Sequence, residues 1–119
     1  MKIKLFLILL TINSFSAFGQ SVDEYFNSAV SEFKSGNYNA SIIYLDTIIS
    51  LDKSNVKAYD FRGFIKGQIE DYKGALEDFN TIIKLDPKNS TAFDHRGICK
   101  KNLKDYKGAL ADYNKALEP

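Results

Sequence analysis

The feature that most constrains this chain is that it repeats itself. Asp71-Tyr72-Lys73-Gly74-Ala75-Leu76-Glu77-Asp78-Phe79-Asn80 returns 34 positions later as Asp105-Tyr106-Lys107-Gly108-Ala109-Leu110-Ala111-Asp112-Tyr113-Asn114. A weaker copy stands one period earlier, at Asn37-Tyr38-Asn39-Ala40-Ser41-Ile42-Ile43-Tyr44-Leu45-Asp46. The preceding halves agree too, Ala58-Tyr59-Asp60-Phe61-Arg62-Gly63 with Ala92-Phe93-Asp94-His95-Arg96-Gly97, and Tyr25 takes the aromatic place in the first copy. A fixed period of this size belongs to solenoids. One unit cannot bury its apolar face alone, so neighbouring units must stack to make a core.

Each copy reads as two amphipathic helices. In the middle copy the first helix spans about Val56 to Gln68, and Asp71 is placed to cap the second. Ala75, Leu76, Phe79, Ile82 and Ile83 then recur at helical spacing along one face. Leu85-Asp86-Pro87 ends that helix, because proline has no N–H to donate and pushes its predecessor out of the helical region. Gly63 and Gly97 fall inside helices, where glycine costs about 1 kcal/mol against alanine. Close approach of the partner helix at Ala75 or Ala109 is the expected compensation.

Composition narrows the function classes. The 16 basic and 15 acidic residues nearly balance, so no net charge draws the chain to nucleic acid. The 9 Phe and 7 Tyr supply large apolar groups for so short a chain. Met1-Lys2-Ile3-Lys4, an apolar run from Leu5 to Ile12 and the small residues of Ala17-Phe18-Gly19 have the layout of a secretory signal peptide over 1–19. The run is too short for a spanning helix. The expectation is an exported protein, periplasmic or secreted, touching a membrane only if the signal stays uncleaved. Cys99 stands alone, so no intramolecular disulfide can form and packing must hold the fold.

These residues resemble the tetratricopeptide repeat family. The aromatic of its first helix corresponds to Tyr25, Tyr59 and Phe93, and its glycine to Ala29, Gly63 and Gly97. The alanine of its second helix corresponds to Ser41, Ala75 and Ala109, the aromatic after it to Leu45, Phe79 and Tyr113, and the closing proline to Pro87. The resemblance implies an all-α fold: a right-handed α-α superhelix of three tandem helix–turn–helix hairpins, at residues 22–55, 56–89 and 90–119. It also implies a concave groove that binds a protein or peptide partner, with no cofactor. Ligand-facing positions carried over from the family include Phe26, Val30 and Phe33 in the first copy, Asp60, Phe61, Phe64 and Gly67 in the second, and Asp94, His95, Ile98 and Lys101 in the third. The family's carboxylate-gripping subset places Lys, Asn and Arg where this chain has Phe26, Val30, Phe61 and His95, so that clamp is not expected here. The apolar positions read either as anchors for an extended or helical segment or as packing between helices.

Three departures from the family matter. Arg62 and Arg96 replace its leucine before glycine, and Lys66 and Lys100 replace its following tyrosine. Asp78 and Asp112 appear in the same two copies and are missing from the first, where Ser28 and Tyr44 stand. Charges that come and go together predict structural pairs, Arg62 with Asp78 and Arg96 with Asp112, or Asp78 with Arg96 across the repeat junction; the alternative is an arginine site for an anionic ligand. Second, no polar helix follows Tyr106–Leu117 in the sequence to shield that hairpin, which marks it for self-association, for a structural role in a larger envelope assembly, or as a break in a longer array. Third, the acidic first copy and basic third copy form a gradient that either steers an anionic segment or is plain solvated surface.

A catalytic reading has little to work with. His95 and Cys99 share one helix face, but a nucleophile pair needs an orienting group, and a metal needs further ligands. No second His or Cys is present. The expectation is a non-enzymatic scaffold.

Overall fold

The computed structural model describes residues 18–119; the expected signal segment lies, up to residue 17, outside the described residues. Six helices follow one another: α1 (Phe18–Lys34), α2 (Tyr38–Leu51), α3 (Val56–Gln68), α4 (Tyr72–Leu85), α5 (Ser90–Asn102) and α6 (Tyr106–Ala116). They pair as three hairpins, α1/α2, α3/α4 and α5/α6, and among the described residues there is no strand.

The chain's polar punctuation sets the helix starts. Side-chain oxygens of Asn55, Asp71, Asn89 and Asp105 each accept the backbone N–H three residues on at 3.0 Å, satisfying a donor that the first helical turn leaves free. Within each hairpin the turn passes through a left-handed residue at the same place: Gly36 (φ 81°), Glu70 (φ 64°) and Lys104 (φ 67°). Only the first copy uses glycine, the residue with no steric penalty there.

The core is assembled between neighbours. Ala29, Leu45 and Ile48 of the first hairpin close over Ala58 and Ile65 of α3. Tyr59, Ala75, Phe79 and Ile82 of the second close over Ala92 and Cys99 of α5. Each second helix is thus buried by the first helix of the next hairpin. This is why α6, which has no such neighbour among the described residues, buries only Ala109 and Asp112.

The interior glycines are explained by close approach of the partner helix, which at Gly97 includes Ala109 as expected and in both copies is led by an aromatic ring. A Cβ on Gly63 would meet the Phe79 ring at 2.8 Å, not Ala75. A Cβ on Gly97 would meet the Tyr113 ring at 2.7 Å and the Ala109 carbonyl oxygen at 3.2 Å. The aromatic fills most of the space the glycine leaves, joined at Gly97 by the Ala109 backbone. In the first hairpin Ala29 and Leu45 replace that glycine–aromatic couple, and the buried Ser41 hydroxyl donates to the Ala29 carbonyl at 2.7 Å.

Candidate functional site

The ligand-facing positions lie on α1, α3 and α5, and they fall into two junctions of different chemistry. Between the first two hairpins they are aromatic. Phe26 approaches Phe61 with ring centroids 5.8 Å apart. Phe33 lies 5.4 Å from Tyr38, 5.4 Å from Phe61 and 5.8 Å from Phe64. Phe26, Phe33 and Phe61 are half-buried and Phe64 is exposed, so this is packing that still presents a surface. The Lys57 ammonium sits 4.7 Å above the Phe26 ring, a cation–π contact at its edge. Phe61, one of the positions carried over from the family, belongs to this floor.

Between the second and third hairpins the equivalents of Phe26, Phe61 and Phe33 are Asp60, His95 and the bare Gly67, and of these four places only Ile98, which stands for Phe64, keeps an apolar side chain. His95 Nδ1 is 3.5 Å from Asp60 Oδ1, and its ring meets Phe79 edge-on at 5.3 Å. That nitrogen is buried and makes no hydrogen bond beyond the loose approach to Asp60. The Asp60 carboxylate holds the imidazole pKa above its ordinary 6.5, burial working in the opposite sense. Beside the pair lies an open cavity of about 300 Å³ lined by Gly67, Phe64, Ile98, His95, Tyr72 and neighbouring groups. Val30 is half-buried, while Asp94 and Lys101 are exposed and outside any ion pair among the described residues.

The arginines point away from this surface, into the hairpins. Arg62 donates to both oxygens of Asp78, at 3.0 and 2.6 Å, and to Asp46 of the preceding hairpin at 2.8 Å. Arg96 does the same with Asp112, at 2.8 and 2.7 Å, and reaches back to the Asn80 side chain at 3.0 Å. The bidentate pairs are therefore within a hairpin, and the junction is bridged through Asp46 and Asn80, not by Asp78 to Arg96. Lys66 and Lys100 add a second cation to each carboxylate, at 3.6 and 3.0 Å. Asp78 and Asp112 are 2% and 3% exposed, so an anionic ligand would have to displace a buried carboxylate to use these arginines. Hydrogen bonding to Asp78 raises the Arg62 pKa still further. Burial works to raise the Asp112 pKa, but hydrogen bonds from Arg96 and Lys100 more than offset it and hold it below the ordinary carboxylate value. Asp46 and Asn80 sit one period apart in the sequence, the signal by which their shared role was legible.

Cys99 is buried, and burial pushes its thiol up to about 11, so it is protonated at neutral pH and no nucleophile. Among the described residues no group of three or more His, Cys, Asp or Glu could hold a metal ion. No helix among them is long and apolar enough to cross a membrane.

Stacked helical hairpins whose cores close only on their neighbours, with an exposed apolar surface along the first helices, define an α-solenoid. The tetratricopeptide repeat family profile matches residues 56–89 and 91–118, and the chain belongs to that family. No curated protein sequence matches it. Among solved structures it is similar to the second TPR of Spaghetti (RPAP3) bound to HSP90 peptide SRMEEVD, at 25% identity over 86% of this chain and 96% of that one, with a TM-score of 0.77. MamA shares the fold at 21% identity, covering 81% of this chain and 56% of MamA, with a TM-score of 0.77. So does the TPR2B domain of yeast Sti1 in its pHsp70 complex, at 18% identity, 82% and 78% coverage, and a TM-score of 0.76.

Proposed function

We propose that this chain is a non-enzymatic interaction scaffold that binds a protein segment along α1, α3 and α5 through apolar side chains. The observation that carries the reading is the aromatic floor: Phe26, Phe61, Phe33 and Phe64 in successive ring contact, with Phe64 41% exposed. Solvent-facing aromatic surface of this kind is what peptide grooves use for anchoring. Of the similar structures named above, the Spaghetti domain holds an HSP90 peptide and the Sti1 domain is in a pHsp70 complex. Here the family's carboxylate-gripping positions hold Phe26, Val30, Phe61 and His95, which favours an internal apolar segment over a free chain terminus. The scaffold reading also fits a protonated, buried Cys99 and arginines already engaged by carboxylates. The signal-like residues 1–19 support a site of action outside the cytoplasm.

Peptides selected from a random display library test the groove. Binding should fall at least about tenfold, or 1.4 kcal/mol, in Phe64→Glu; selected peptides that bind both proteins equally would refute the groove.

A second reading rests on α6. Tyr106, Leu110 and Leu117 are 65%, 61% and 82% exposed, whereas their counterparts Tyr72, Leu76 and Ile83 are half-buried under α5. Such an exposed apolar helix face suits assembly into a larger structure. Light scattering across a concentration series decides it: a monomer throughout removes self-assembly.

A further inference from the structure

The cavity beside His95 is the vacant counterpart of a niche that the chain fills elsewhere with its own phenylalanine. Phe33 is held by Tyr38, Phe61 and Phe64. One period on, those four positions are Gly67, Tyr72, His95 and Ile98, and all four line the cavity. The two niches have the same walls in kind, an aromatic from the second helix and two groups from the next hairpin's first helix. They differ in the plug, which is a benzyl group in one and a hydrogen atom in the other.

Gly67 has no structural reason to be glycine. Gly63 and Gly97 are crowded by rings, and Gly36 needs a positive φ, but a Cβ on Gly67 would meet nothing within 4 Å. A glycine inside a helix is destabilising relative to alanine, and here no packing offsets it. What the missing side chain does supply is the open floor of a cavity of about 300 Å³. An apolar cavity of about 150 Å³ already takes benzene.

Phe64 joins the two niches, touching Phe33 on one side and lining the cavity on the other. A ring entering the cavity therefore continues the aromatic interface between the first two hairpins. From this we infer that the cavity is an aromatic-anchor subsite: a phenyl-type side chain of the bound protein segment occupies the place that Phe33 holds one repeat earlier. The inference rests on the groove reading and names the side chain that reading lacks.

Two variants and one small probe test it. N-acetylphenylalanine amide, titrated into the 15N-labelled protein, should shift the amides of Gly67, Gln68, Ile98 and Asn102, and the leucine amide should shift them less. Gly67→Phe, which builds the plug into the chain, should abolish those shifts while keeping or raising the Tm. Gly67→Ala should raise the Tm by about 5 °C and leave the probe's effect intact. Absence of shifts at those amides overturns the subsite, as does a Gly67→Phe protein that still responds or whose Tm falls. Failure here is distinct from failure of the groove: library peptides lost on Phe64→Glu but bound equally by Gly67→Phe would remove the subsite and leave the groove standing. Peptides insensitive to Phe64→Glu would remove the groove, and the subsite with it.

Discussion

The two junctions along the first helices use the same backbone positions for opposite ends. Between the first and second hairpins, Phe33 and Phe61 close the surface into an aromatic floor. Between the second and third, Gly67 and His95 occupy those positions and leave a cavity flanked by a titratable pair. The side chains at these two positions separate the closed junction from the open one. The repeat supplies a uniform frame, and the copies are free to differ wherever a residue faces outward rather than into a neighbour.

The sharpest way to break this comparison is to attack what both junctions share. Asp78→Ala leaves the Arg62 guanidinium half-buried without its bidentate partner and is expected to cost about 3–5 kcal/mol in urea denaturation. Replacing Arg62 and Asp78 together by leucine should lose far less, because no unpaired charge remains. Next, Phe33→Ala should make the first junction resemble the second. Buried phenylalanines cost about 3–5 kcal/mol on truncation, and a half-buried one is expected to lose about 2 kcal/mol, read from the same denaturation curves.

The third effect belongs to the second junction alone. The raised His95 pKa means the folded state binds its proton more tightly than the unfolded state, which titrates near 6.5. Its contribution is complete below that value and is lost as pH rises through the raised folded pKa. Asp60 is 46% exposed on its side chain and His95 31%, so solvent screening keeps the change below about 1 kcal/mol. Stability measured from pH 5 to 8 should fall in the wild type relative to His95→Phe, which carries the first junction's residue; parallel curves would show that the pair contributes nothing. The smallest change is at the far end. Leu110→Ser should stay within about 0.5 kcal/mol of wild type by thermal melt, whereas Leu76→Ser, its half-buried counterpart under α5, should cost about 1–2 kcal/mol.

Much of this was legible before any coordinates. The 34-residue offset sets six helices, their pairing and their stacking. Asp71 and Asp105 announce their own caps, and the joint appearance of Arg and Asp in two copies announces the buried pairs. Periodicity works for these because each is a neighbour relation that recurs in every copy. It fails where one copy departs. The resemblance places both Gly67 and Phe61 among the ligand-facing positions, but the sequence does not tell that one opens the groove and the other floors it. The contribution of Asp46 and Asn80 was likewise missed, although their spacing carries the signal.

What the sequence determined by itself, then, is the repeating architecture, since period, caps and apolar spacing act through local helix formation and nearest-neighbour burial. Tertiary structure alone decided which positions close the groove and which leave it open. That depends on whether a ring from one hairpin reaches a wall supplied by the next, as Phe33 does and as Gly67, with no side chain, cannot. Such a contact joins residues from separate repeats, and its volume is visible only once both are in place.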